Sequence, residues 1–286
     1  MSDKKYWERI AKNFSEGYNI KSVLIPSSLG LVNWCMDLLM KKSLKPVLDD
    51  CRFYRVLDVG CGVGRWSLEL ALRVQLLVGI DIALNMVKEA KTRLLSVDNA
   101  LFIVATASNL PFKDSSFDSV LSVTVLQHIT NRSEFIKSCT EIVRVTKSRG
   151  KIILLETSPK KSYSGTLDPP MSYYSKDEFI DLFVSLGTEL ESIFGVEMRM
   201  SNILILGSKL KALFITAPDS RTMENRKYSS IFETLKYAYY IVINGLFLCF
   251  LLPLNLLIRN TSFFKNHAFH NLFIFRKKPD GTIAQT

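Results

Sequence analysis

Residues 55–70 read R-V-L-D-V-G-C-G-V-G-R-W-S-L-E-L. An apolar run (Tyr54, Val56, Leu57, Val59) ends in glycines at alternate positions, Gly60, Gly62 and Gly64, and a helical pattern resumes at once through Trp66, Leu68, Leu70 and Ala71. Strand, glycine turn and helix in that order let backbone approach a ligand closely where a side chain would exclude it. Arg65 stands where a G-x-G-x-x-G dinucleotide loop would place its third glycine. Asp58, two residues before the first glycine, can stiffen the loop and face a cationic ligand.

Downstream, V-G-I-D-I at 78–82 reads as a second strand ending in Asp81, about twenty residues past the loop, where α/β nucleotide sites place an acid for ribose hydroxyls. A carboxylate accepts both vicinal hydroxyls at once and so fixes the sugar. The same Asp81 also qualifies as a cap for a helix over 84–91, but its spacing from Gly60 favours the ligand. A third strand over 101–105 leads into A-T-A-S-N-L-P-F-K-D-S-S-F-D-S-V, and a fourth over 119–123 leads into T-V-L-Q-H-I.

Three signals in this order resemble the class I S-adenosylmethionine (SAM)-dependent methyltransferases: an acid followed by G-x-G-x-G (Asp58–Gly64), Asp81, and L-P-F…F-D-x-V (Leu110, Pro111, Phe112, Phe117, Asp118, Val120). The resemblance covers about 54–198 plus a final strand, and lies closest to methyltransferase type 11 and quinone-biosynthesis enzymes. It implies that Asp58, Gly60, Gly62 and Gly64 form the cofactor loop and that Asp81 holds the SAM ribose. Ile82 and Met86 would contact the adenine. An Asp usually bonds the adenine amino group just before L-P-F; Thr106 holds that place here, with backbone at Ala107 as the substitute, and Thr124 completes the cofactor set. His128 is the candidate general base, because its ordinary pKa lies near neutrality. Tyr173 and Tyr174 lie on the loop that crosses the substrate side. Ahead of the core, Tyr6, Trp7, Ile10, Ala11 and Phe14 form one helical stripe and Leu31, Val32, Trp34, Leu38 and Leu39 a second. Both stripes fit helices that cover the sheet, and the family's habit would let Tyr6 and Trp7 roof the cofactor.

The fold implied is a three-layer, Rossmann-like α/β domain with a seven-stranded, mostly parallel sheet. An amphipathic helix over 133–147 closes at Arg149-Gly150, followed by a fifth strand (151–156), a helix (175–187) capped by Ser175, a sixth strand (188–198) and a seventh (270–276). No N-P-P-Y or D-P-P-Y follows the fourth strand; D-P-P-M at 168–171 reads as a turn. The chain divides into a helical cap (1–50), the SAM-binding core (51–198), an apolar basic insert (199–269) and the last strand with its tail (270–286).

Composition bears on the partner. The net charge is +10, and from residue 199 onward twelve Lys and Arg face four Asp and Glu. Such a bias suits nucleic acid, an anionic membrane or a phosphorylated substrate. Five cysteines without C-x-x-C spacing point to reduced thiols in the cytoplasm and against a metal site. Residues 1–13 show no signal peptide. Residues 237–258 carry no charge and would span about 33 Å as a helix. A single span would strand the seventh strand across the membrane from the glycine loop, and Gly245 and Pro253 offer a bend. A re-entrant or surface-lying insert satisfies both constraints; a true span and a buried helix remain open. The acceptor expected is therefore amphipathic or lipid-linked, an isoprenoid quinone precursor or lipid-linked sugar, met by a peripheral or monotopic enzyme at the membrane surface. Alternatives are a soluble small-metabolite O-methyltransferase, an RNA methyltransferase, which lacks an RNA-binding motif, and an NAD-binding oxidoreductase, which Arg65 and L-P-F…F-D-x-V count against.

Overall fold

The computed structural model describes residues 3–15, 30–51, 54–165, 171–197, 268 and 270–279. Two helices, α1 (Asp3–Ser15) and α2 (Gly30–Asp49), precede the alternating core. That core runs β1 (Arg55–Val59), α3 (Arg65–Ala71), β2 (Leu76–Asp81), α4 (Leu84–Arg93), β3 (Ala100–Val104), β4 (Phe117–Val123), a 3-10 turn (Leu126–His128), α5 (Arg132–Val145) and β5 (Thr146–Thr157). A short hairpin, β6 (Tyr163–Gly165) and β7 (Met171–Tyr173), then leads to α6 (Lys176–Ser185), β8 (Thr188–Glu197) and β9 (His270–Lys277).

The main sheet has seven strands in the order β3-β2-β1-β4-β5-β9-β8. Strands β1 to β5 are parallel, and β9 enters antiparallel between β5 and β8. This is the expected sheet, with the strand read at 270–276 seated beside the fifth. Strand alternation divides the core into two faces. Val56, Leu121, Ile153 and Leu155 pack with Trp66, Leu70, Val87 and Leu94 on the α2–α3–α4 side. Leu57, Val120, Ile152 and Leu154 pack with Phe135, Ile142, Phe179 and Phe183 on the α5–α6 side. Both faces being covered explains why β5 reads as an unbroken apolar run.

Two local details differ from expectation. Strand β5 starts at Thr146, directly after α5, rather than at 151. Ser115 and Ser116 donate to the Arg144 and Val145 carbonyls, so the chain joins the sheet before reaching Gly150. The β6–β7 hairpin has no counterpart in the sequence reading; residues 166–170 lie outside the described residues, and Met171 of the D-P-P-M opens β7. The α6 cap is as read, Ser175 Oγ accepting the Glu178 N–H at 3.2 Å. The insert read at 199–269, including 237–258, lies outside the described residues except for Ala268. Among the described residues, no helix is long and apolar enough to cross a membrane.

Candidate functional site

The strand order reverses between β1 and β4, and open α/β sheets bind ligands at such a point, beyond the carboxyl ends of the strands. A cavity of about 450 Å³ lies there. Gly60 and Gly62 enter it after β1, Asp81 and Ile82 after β2, Thr106 and Ala107 after β3, and Thr124 and His128 after β4.

The glycine loop is shaped by left-handed backbone: φ is +69° at Gly60, +53° at Gly62 and +81° at Gly64. A Cβ at Gly60 would lie 2.3 Å from Val125 Cγ2, whereas one at Gly62 would meet nothing within 4 Å. Gly60 is thus required by protein packing, and Gly62 leaves open a space that a ligand can fill. Gly64 does not line the cavity; it caps α3 against Ala90 of α4 and Leu94 just after that helix.

Asp81 is anchored at both oxygens. Oδ2 accepts the Gly62 N–H at 3.0 Å and Oδ1 the Ala83 N–H at 2.9 Å. A carboxylate offers about four lone-pair sites, so acceptor capacity remains beside these amides. Burial lifts its pKa to about 6 against the pull of these amides, with Glu8 adding repulsion. Capping of α4 falls to Glu8, which accepts the Leu84 N–H at 2.7 Å and the Asn85 N–H at 3.1 Å. Helix α1 is thereby fixed to α4, with Trp7 and Ile10 packed against Val63, Ala83 and Met86. Tyr6, Trp7 and Met86 all line the cavity, as do Met36 and Met40 of α2.

Asp58 is placed differently from the expected cation-facing role. Alternation along β1 turns it to the same face as Val56, where Oδ2 accepts the Ser67 hydroxyl of α3 at 2.7 Å, and it does not line the cavity. Burial lifts its pKa to about 7, and the Ser67 bond only partly offsets this. Its stiffening role remains: it ties β1 to α3. Arg65, in the third-glycine place, reaches Asp37 of α2 at 3.2 Å and lies over the Trp66 ring. Thr106 lines the cavity, but its hydroxyl accepts the Ser108 N–H at 3.1 Å and lies 2.7 Å from Ser108 Oγ.

Beyond β4, Thr124 adopts φ +55° and the next turn carries Gln127 and His128. The residue is half-buried with Nδ1 fully enclosed, and desolvation lowers its pKa to about 4, which keeps the imidazole neutral at pH 7. Trp7 packs on it edge-to-face with ring centroids 4.9 Å apart. Nε2 is 3.4 Å from Gln127 Nε2. His128 Nδ1 and Gln127 Oε1 are buried without a hydrogen-bond partner among the described residues.

Tyr173 and Tyr174 do not line the cavity. Tyr174 stacks on Phe135 at 3.7 Å beneath Arg132, and Tyr173 donates to Met171 Sδ at 3.1 Å. Met171 faces the cavity in their place. The structure also brings in residues to which sequence reasoning assigned no site role: Lys4, Asn131, Glu134 and His270. His270 arrives from β9 with Nε2 2.9 Å from the Thr157 hydroxyl. Only the completed sheet puts it beside a loop that lies two hundred residues earlier, so no local pattern marks it. Among the described residues, no cluster of His, Cys, Asp or Glu could hold a metal ion.

Residues 57–154 match the methyltransferase-domain family. A demethylmenaquinone methyltransferase of Staphylococcus aureus (strain MRSA252) is 35% identical over 107 residues, 36% of this chain and 43% of that protein. The chain thus spans less than half the length of the curated relatives it matches. Among solved structures, the [4+2]-cyclase SpnF superposes with a TM-score of 0.54 at 18% identity, over 83% of this chain and 81% of that one. A SAM-dependent methyltransferase of Methanosarcina mazei gives 0.53 at 17% identity, over 82% and 98%. At such identities the likeness is one of fold.

Proposed function

We infer that the chain is a class I SAM-dependent methyltransferase whose acceptor is an amphipathic or lipid-linked small molecule. The observation that carries this reading is the corner formed by Gly62 and Asp81. A glycine with open space beyond it stands hydrogen-bonded to a buried carboxylate with lone pairs to spare, at the strand-order switch. That corner fits a ribose, and Ile82 and Met86 supply apolar surface for an attached base. When bound, SAM supplies a methyl group already activated on a sulfonium. The chain's share is therefore positioning and the exclusion of water. Asp81 would fix the sugar, and Tyr6, Trp7, Met36 and Met40 would keep the site dry. The neutral His128 imidazole would take the proton that an attacking hydroxyl gives up.

The aromatic and methionine wall and the demethylmenaquinone methyltransferase relative support an acceptor of the isoprenoid quinone precursor type, and a lipid-linked sugar has the same amphipathic character. We propose delivery at the membrane surface from the apolar composition of 237–258.

Calorimetric titration with SAM and with NADH tests the cofactor; binding of NADH and not SAM would overturn the reading. Incubation with methyl-labelled SAM and a membrane lipid extract tests the acceptor. Label should appear in the organic phase and co-migrate with a quinone or glycolipid on mass spectrometry. Label confined to water-soluble products would leave a small-metabolite methyltransferase.

A further inference from the structure

Glu156 sits at the end of β5, fully buried on the α5–α6 side of the sheet. Its Oε1 accepts three hydrogen bonds: the Val125 N–H at 3.0 Å, the Leu126 N–H at 3.0 Å and the Ser122 hydroxyl at 3.3 Å. These two amides open the 3-10 turn Leu126–His128, and such amides are normally left without partners. The turn starts from a costly conformation. Thr124 is β-branched yet stands at φ +55°, and Val125, the turn's own cap residue, offers no side-chain bond. Oε2 has no partner among the described residues. Glu156 does not touch the cavity, but Thr124, Val125, Gln127 and His128, all within or beside its cradle, do.

We propose that Glu156 is the positioning residue for the cavity wall that carries Gln127 and His128, holding the 124–128 turn through one acceptor oxygen so that the imidazole stays packed against Trp7. A carboxylate there works as a helix cap delivered from another strand. The alternative, that it merely fills space in the core, does not account for the backbone amides of the turn and the Ser122 hydroxyl converging on one carboxylate. Burial lifts the Glu156 pKa to about 7 against the pull of these amides. Only the use made of the wall rests on the methyltransferase reading; the cradle stands without it.

The test compares E156Q, E156D and E156L in the full chain by amide hydrogen exchange, by ¹⁵N-histidine NMR and by S-adenosylhomocysteine binding. E156Q keeps an acceptor oxygen in place, so exchange at Val125 and Leu126 should stay within about threefold of the parent. E156L removes the acceptor and E156D withdraws it, and exchange at those amides should rise by about a hundredfold while β1 and β2 stay protected. In both, the His128 titration should climb from about 4 toward the ordinary histidine value as the ring loses its burial. Unchanged protection at Val125 and Leu126 in E156D or E156L would overturn the proposal. So would an E156Q that behaves like E156L, or a loss of protection spread evenly over β4 and β5. Should E156L fail to fold, E156D still decides. If the parent chain binds no S-adenosylhomocysteine, the methyltransferase reading fails, while the exchange result stands on its own.

Discussion

Asp81 accepts the Gly62 and Ala83 amides, one on each oxygen, and the proposed sugar would take the acceptor capacity that remains. Asp81→Ala should weaken SAM binding at least tenfold, from the loss of a charge-assisted bond worth roughly 1.5–3 kcal/mol, with an unchanged circular dichroism spectrum. Burial lifts the Asp81 pKa to about 6, and bonds from two hydroxyls would favour its ionised form. Binding therefore releases a proton below that pH, and affinity should rise by up to about tenfold per pH unit before levelling near 7. Calorimetry across pH 5–8 checks this, and Asp81→Asn should flatten the curve. His128→Ala should lower turnover by on the order of a hundredfold with SAM affinity retained; near-parental turnover would make His128 a wall residue only. Asp81 was legible because its spacing from Gly60 is fixed by the βαβ unit. The facing of Asp58 follows from alternation along β1, a signal present in the sequence and outweighed by the resemblance. Tyr174 was not legible, since its stacking on Phe135 depends on where α5 comes to lie.

At the level of elements, the glycine loop separates two demands that one motif letter conceals. Alanine at either Gly60 or Gly62 incurs the left-handed penalty of about 1–2 kcal/mol. Gly60→Ala must also push its Cβ into Val125, 2.3 Å away, and so strains the 124–128 turn. Its melting temperature should fall by well over the roughly 2–4 °C expected per kcal/mol. Gly62→Ala should melt within several degrees of the parent yet bind SAM much more weakly, because its methyl enters the cavity. Equal melting temperatures with equal affinities would refute the division. The two N-terminal helices were legible as apolar stripes, and Tyr6 and Trp7 do line the cavity. The Glu8 cap on α4 was not legible, because Glu8 and Leu84 are brought together only by tertiary packing.

For the whole molecule, the seven strands could be read because parallel strands between helices are apolar on both faces, whereas the full order β3-β2-β1-β4-β5-β9-β8 is a finding of the structure. The same order bears on membrane attachment. Arg276 pairs across from Lys151, whereas His270 at the cavity pairs with Thr157, so the cations at 276–278 lie about 20 Å from the cavity end of β9. Arg276 also reaches Glu191, and Lys277 donates to the Thr146 carbonyl. Attraction of these residues to anionic lipid would turn the cavity away from the bilayer. The proposed attachment therefore rests on the apolar composition of 237–258. The protein should sediment with membranes, resist extraction by high salt and leave with detergent. Tags before Tyr6 and after Thr286 should be cleaved together from one side of sealed vesicles. Protection of one tag alone would contradict the place of β9 in the sheet.

That place has a further consequence, for the order of events during synthesis. Among the described residues, strand β8 pairs with β9 alone, and the 198–269 stretch separates the two in sequence. At about 5–20 residues per second, several seconds pass between the ribosome's release of β8 and of β9. Through that interval the edge of β5 and the strand β8 lack the partner they share among the described residues. Such an edge is a template for association with other nascent chains. A stop codon before His270 would therefore yield an aggregation-prone chain rather than a slightly weakened enzyme, and survival of the intact chain depends on how that interval is covered.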